Sequence, residues 1–83
     1  MEVNRKRVHE ICRGVVTATV WSNQMTGRQG WYSVTITRQF KKDGELQFTS
    51  SLRYADVMNA RKVLRWAHFW IWMRGLAPAR NYW

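Results

Sequence analysis

Five carboxylates are scattered along the chain: Glu2, Glu10, Asp43, Glu45 and Asp56. Two fall at a turn and one at a helix start, which are structural positions. No Ser/His/Asp or Cys/His set can be assembled from the spacing, so nucleophilic or acid–base catalysis has no visible machinery. His9, His68 and Cys12 stand at unrelated intervals, without the spacing of a zinc site. No glycine-rich phosphate loop is present. The expectation is a protein that is not an enzyme and needs neither metal nor cofactor. The residue types that remain are flat rings, cations and small hydroxyls. Trp21 and Trp31 sit among Thr17, Thr19, Ser33, Thr35 and Thr37, with Arg13, Arg28, Arg38, Lys41, Lys42 and Arg53 nearby in sequence. Their chemistry is non-covalent. An aromatic ring stacks on an unpaired base, Lys and Arg follow the phosphates, and hydroxyls bond phosphate oxygens without reading sequence.

These residues need a sheet to present them. Residues 15–21 (Val-Val-Thr-Ala-Thr-Val-Trp) and 31–38 (Trp-Tyr-Ser-Val-Thr-Ile-Thr-Arg) alternate, so each reads as a strand with one apolar and one polar face. Val16, Ala18 and Val20 share the apolar face with Tyr32, Val34 and Ile36. Thr17, Thr19 and Trp21 share the polar face with Trp31, Ser33, Thr35 and Thr37, followed by Gln39 and Lys41. The competing structural reading makes Trp21 and Trp31 a cross-strand pair that only stabilises the sheet. Gly14 interrupts the first alternating segment, so residues 8–21 form one bent strand or two short strands sharing a corner at Arg13. Residues 23–30 connect, with Arg28 at the tip. Asp43-Gly44 between alternating runs predicts a hairpin. Residues 46–52 return as a strand, with Leu46 and Phe48 expected on the apolar face and Gln47 and Thr49 on the polar one. The basic stretch 1–7, with Arg5-Lys6-Arg7, is expected to be a solvated tail or an arm lying on phosphates.

From about Arg53 the apolar period changes to that of a helix. Val57, Ala60, Leu64, Ala67 and Ile71 form a stripe with Val63 beside it, suited to packing across the sheet. Ser51 or a neighbour is expected to cap the helix, with Asp56 in its first turn. Gly75 and Pro78 place its end near Arg74. Arg61, Lys62, Arg65 and His68 group on the opposite arc. Trp66, Phe69, Trp70, Trp72 and Met73 make the second half apolar almost all round, which calls for further cover. The interface expected there is a second copy on Trp66, Phe69, Trp70 and Met73.

Eighty-three residues make one small domain, read as 8–76 with tails at 1–7 and 77–83. A chain of this length buries only roughly 60–65% of its unfolded surface, so association would add stability it needs. The net charge of +9 points to an anionic partner, nucleic acid before membrane. A lone cysteine excludes an internal disulfide and fits a reducing, cytoplasmic setting. Residues 2–10 are charged and lead into no apolar run, so no secretory leader is expected. The most apolar run, residues 63–73, is too short to span a bilayer and contains Arg65 and His68.

The stretches Ile11-Cys12-Arg13-Gly14-Val15-Val16-Thr17-Ala18-Thr19-Val20-Trp21 and Tyr32-Ser33-Val34-Thr35-Ile36-Thr37-Arg38-Gln39-Phe40-Lys41-Lys42-Asp43-Gly44, with Ala67 and Trp70-Ile71 in the helix, carry a resemblance. The chain resembles the bacterial relatives of the positive cofactor four transcriptional coactivator, a single-stranded DNA-binding family, over about residues 8–74. It is also similar to small bacterial proteins with a Gly-bent first strand, a Val-Thr second strand and a Trp-Ile near the helix end. The resemblance implies an α+β fold, with a curved antiparallel sheet of three to four strands followed by one C-terminal helix, and dimerisation through the helices. It further implies binding of single strands on the sheet through Arg13, Trp21, Trp31, Arg38, Lys41 and Lys42. The chain departs from the family in lacking a Pro just inside the helix start and in its many helical Trp residues. Residues and resemblance together give the expectation of a homodimer that binds single-stranded DNA or RNA, in transcription or DNA maintenance. The alternatives are a protein-interaction module built on the Trp-rich helix and a cationic membrane-surface binder.

Overall fold

A computed structural model describes residues 3–74. Four strands, β1 (Val3–Arg13), β2 (Val16–Met25), β3 (Trp31–Lys42) and β4 (Glu45–Thr49), form an antiparallel sheet in the order β1-β2-β3-β4. A 3-10 turn (Tyr54–Asp56) leads into one helix, α1 (Val57–Arg74). The architecture is α+β, and its smallest Cα extent of 16 Å leaves room for one sheet and one helix only. α1 runs to Arg74, the last described residue, so the expected stop near Arg74, its signals Gly75 and Pro78, and the expected tail at 77–83 lie outside the described residues.

Two two-residue turns set the registers. Gly14 has φ 62° and links Arg13 to its facing residue Val16, so the glycine makes a hairpin turn rather than a bend in one strand. A Cβ there would lie 2.9 Å from Asn59 Nδ2, the end of a side chain that can turn aside, so the positive φ is what calls for glycine. Asp43 (φ 54°) and Gly44 (φ 80°) are both left-handed, as the expected hairpin requires. The basic stretch expected as a tail is instead strand. Asn4 to Arg7 pair with Gln24 to Trp21, and the register shifts between Arg7 and His9. That irregularity brings Val8 onto the core side.

The core lies between the sheet and α1. Val16, Ala18 and Val20 of β2 meet Ala60, Val63, Ala67 and Ile71 of the helix. Small Ala60 and Ala67 let α1 approach β2, and the helix leans towards β1 more than β3. The buried stripe is therefore rotated from the expected one. Val63 is buried, whereas Leu64 and Val57 are exposed. The helix cap also differs from expectation. Asp56 accepts from the Arg53 N–H at 3.2 Å, Arg53 Nε at 2.9 Å and Arg53 Nη2 at 3.2 Å.

Candidate nucleic-acid interface

The face of the sheet away from α1 carries the candidate site. In a strand pair each residue shares its face with the residue opposite. Thr17 faces Thr37, Thr19 faces Thr35, Trp21 faces Ser33 and Asn23 faces Trp31. The expected polar face is thus assembled across β2 and β3. Among the described residues no helix or strand packs over it.

Trp21 is fixed in orientation. Its Nε1 donates to Thr35 Oγ1 at 2.9 Å, and the Arg5 guanidinium lies 3.8 Å from the ring centroid. Trp31 is positioned through its backbone. The buried Asn23 Nδ2 donates to the Trp31 carbonyl at 3.2 Å and to Ser33 Oγ at 3.0 Å. Beside it the 26–30 loop is braced by Gln24, whose Nε2 donates to the Arg28 carbonyl at 2.6 Å. Arg28, Gln29, Met25 and Trp31 line a shallow recess there of about 370 Å³.

The same register arithmetic adds residues that the alternation alone misplaced. Across the Asp43-Gly44 turn Lys42 faces Glu45, so Lys41 faces Leu46 and Gln39 faces Phe48. Leu46 and Phe48 therefore stand on the open face, 53% and 63% exposed, and Gln47 and Thr49 turn to the helix side. On β1, Arg7 faces Trp21 and Arg5 faces Asn23, which adds two cations to this face. Glu10 is the acid among them, paired to Arg7 at 3.1 Å. Both partners are largely exposed, so the bond is weak and a phosphate can compete for Arg7. Cys12 is exposed and touches Thr17 Oγ1 at 3.2 Å.

Four of the expected cations are not on this face. Arg13 faces Val16 and Lys42 faces Glu45, both on the helix side of the sheet, although both are exposed near turns. Arg38 also faces Val16 across β2, and its Nε donates to the Ser51 carbonyl at 3.0 Å and lies 3.5 Å from Asp56 Oδ2. Arg53 clamps the same carboxylate from the helix start. The side-chain bond from Arg53 is the main cause that holds the Asp56 carboxyl below its ordinary value of 3.8, with charge from Arg53 and Arg38 adding to it. Arg38 and Arg53 thus hold the fold together. Trp21, Trp31, Arg28 and Lys41 remain at the open face or its rim.

The helix residues expected at a subunit contact also divide. Trp66, Phe69 and Met73 are at least half exposed, as is Trp72. Trp66 meets Phe69 edge-on at 6.1 Å, and Phe69 lies 6.4 Å from Trp72. Trp70 instead packs inward. It stacks on His9 at 5.0 Å, takes the Tyr32 edge at 5.7 Å and lies beneath Arg74. Between this end of α1 and residues 9–12 of β1 runs a groove of about 880 Å³. Among the described residues no helix is long and apolar enough to cross a membrane, and no His, Cys, Asp and Glu cluster is arranged to hold a metal. No family model, curated protein or solved structure matches the chain.

Proposed function

We propose that the open face of the sheet binds single-stranded nucleic acid with little sequence preference. The observation that carries this reading is the joint placement of Trp21 and Trp31 on an uncovered, hydroxyl-lined face with Arg5, Arg7, Arg28 and Lys41 around it. Both rings are half-buried, and a base stacks on the open part of a ring only where it is unpaired, which favours a single strand over a duplex. At Trp21 the base replaces Arg5 on the ring or stacks on the guanidinium plane, and either way leaves a cation beside the phosphate. Threonine and serine hydroxyls bond the backbone without selecting a base. The resemblance to the positive cofactor four relatives supports the same ligand and a role in transcription or DNA maintenance.

The test is a titration of labelled single-stranded and duplex oligonucleotides at two salt concentrations. Single strands should bind at low salt, lose affinity steeply as salt rises and outcompete duplex. Trp21→Ala and Trp31→Ala should each weaken binding by about 1–3 kcal/mol, the worth of one base–aromatic stack. Absence of single-strand binding at low salt refutes the proposal. Parallel deoxy and ribo oligomers decide between DNA and RNA.

The exposed row of Trp66, Phe69 and Trp72 favours a second part of this reading, a homodimer contact through α1. Sizing by light scattering should give twice the chain mass, and Phe69→Glu should give one.

A further inference from the structure

We infer that the single strand runs along the β-strands between two aromatic stations, with Phe48 as the second, which sets a minimum ligand length. This rests on the reading of the open face as a single-strand site. Trp21 and Trp31 lie at one end of the face, in the rows of Ser33 and Asn23. Phe48 lies at the other end, in the row of Gln39, next to Leu46 in the row of Lys41. From Ser33 to Gln39 is six residues along β3, about 20 Å at the ~3.4 Å rise of an antiparallel strand. The β2–β3 floor between the stations contains the facing pairs Thr19–Thr35 and Thr17–Thr37. Each station has its own cation: Arg5 and Arg28 by the tryptophans, Lys41 by Phe48.

An exposed phenylalanine on a short edge strand adds nothing to the core beneath it. Phe48 is the most exposed of the large apolar side chains on the sheet. Its position on the face of Trp21 and Trp31, and not on the helix side, is what a stacking partner requires. Bases at the two ends stack, and the nucleotides between them pass over the half-buried Thr17 and Thr37, whose hydroxyls bond phosphate oxygens, while Thr19 is buried and Thr35 holds Trp21. At the stacked rise of ~3.4 Å per nucleotide, 20 Å corresponds to about six nucleotides, and to fewer when the strand is stretched. The ligand class is a single strand of roughly four to six nucleotides or more, within the site sizes such sheets accommodate.

The experiment measures affinity for oligothymidylates of about three and about ten nucleotides, with the intact protein and with Phe48→Ala, Phe48→Leu, Phe48→Trp and Trp31→Ala. Phe48→Ala and Phe48→Leu should weaken the long oligomer roughly tenfold, the loss of one stack, and leave the short one unchanged. Phe48→Trp should retain affinity. Trp31→Ala should weaken both oligomers. The leucine variant keeps the apolar volume, so its loss isolates the ring from any effect on folding, which unchanged thermal melting confirms. Phe48→Leu binding like the parent protein overturns the second station. Trp31→Ala weakening both lengths while every Phe48 variant leaves them unchanged confines the site to the tryptophan end, overturning the inference while the single-strand reading stands. Failure of the parent protein to bind either length overturns both.

Discussion

On the helix side of the sheet Arg38 and Arg53 converge on one carboxylate, with Arg38 Nε 3.5 Å and Arg53 Nε 2.9 Å from Asp56 Oδ2. On the open side the Arg5 guanidinium lies 3.8 Å from the Trp21 ring centroid, and Lys41 stands exposed. The residue types are nearly the same and the settings opposite. Asp56 is buried, and the Arg38 side chain is 16% exposed. Arg38 is matched inside the chain, and a phosphate would have to displace Asp56 to reach it, whereas Arg53 bonds the same carboxylate with a side chain that stays 63% exposed. Among the described residues, the carboxylate paired to an open-face cation is the exposed Glu10. A net charge of +9 therefore overstates what a ligand meets from any one direction.

The largest effect that separates the two settings is Asp56→Ala. It strips the buried counter-charge from Arg38 and the acceptor from the Arg53 N–H at the helix start. Leaving the part-buried Arg38 without its counter-charge and the helix start without its acceptor costs more than removing an exposed cation. Thermal unfolding should fall further for Asp56→Ala than for Arg5→Gln or Lys41→Gln, with Asp56→Asn between. Equal melting of Asp56→Ala and Lys41→Gln would show that Asp56 contributes no more to stability than an open-face cation.

Acid should expose the same difference. The Asp56 carboxyl titrates below its ordinary value of 3.8 in the folded chain, chiefly because the Arg53 side chain bonds its charged form. The unfolded chain then takes up the proton first as pH falls, so the stability this group contributes is full above about pH 5 and is lost through pH 4 and below. The melting temperature of the parent protein should drop across that window. In Asp56→Asn, which has no proton to gain at this position, the drop should be smaller. Parallel curves for the two proteins would show that Asp56 is not the group responsible.

Much of this fold is legible from alternation and turn residues. Asp43-Gly44 marks its hairpin because both residues must take positive φ, and Thr17 to Trp21 and Trp31 to Thr37 alternate cleanly enough to share a face. What alternation cannot supply is how parity crosses a turn. A two-residue turn makes facing positions sum to an odd number, Lys42 with Glu45 and Arg13 with Val16, so the odd face of one strand meets the even residues of the next. Carrying one parity through β4 puts Phe48 in the core, when the register puts it on the open face. The same step hides β1. Arg5 and Arg7 look like tail residues until Gly14 is read as a turn, and pairing back from Val16 would still set them opposite Gln24 and Ser22 on the helix side; the register shift between Arg7 and His9, which alternation does not announce, moves them opposite Asn23 and Trp21. The rotation of α1 has a different origin. Two alanines, Ala60 and Ala67, decide how closely the helix sits on β2, and that distance depends on the sheet beneath as much as on the helical stripe. Trp70 follows from it, drawn in by His9 and Tyr32, which are remote in sequence.

The smallest effect, and the most selective, is the salt dependence of binding. Each phosphate contact on a single strand contributes about 0.7 to the slope of log affinity against log salt. Lys41→Gln should lower the slope by up to that amount and weaken all sequences alike, because Lys41 stands on the open face beside Leu46. Arg38→Gln should leave the slope unchanged in protein that remains folded, since its Nε already bonds the Ser51 carbonyl and lies against Asp56. Arg5→Gln tests the mixed case. It removes a cation and also uncovers the Trp21 ring, so the slope should fall while a stacked base gains access, and the affinity lost at moderate salt should be less than for Lys41→Gln. If Arg38→Gln changes the slope and Lys41→Gln does not, the strand runs on the helix side of the sheet, where the matched charges lie.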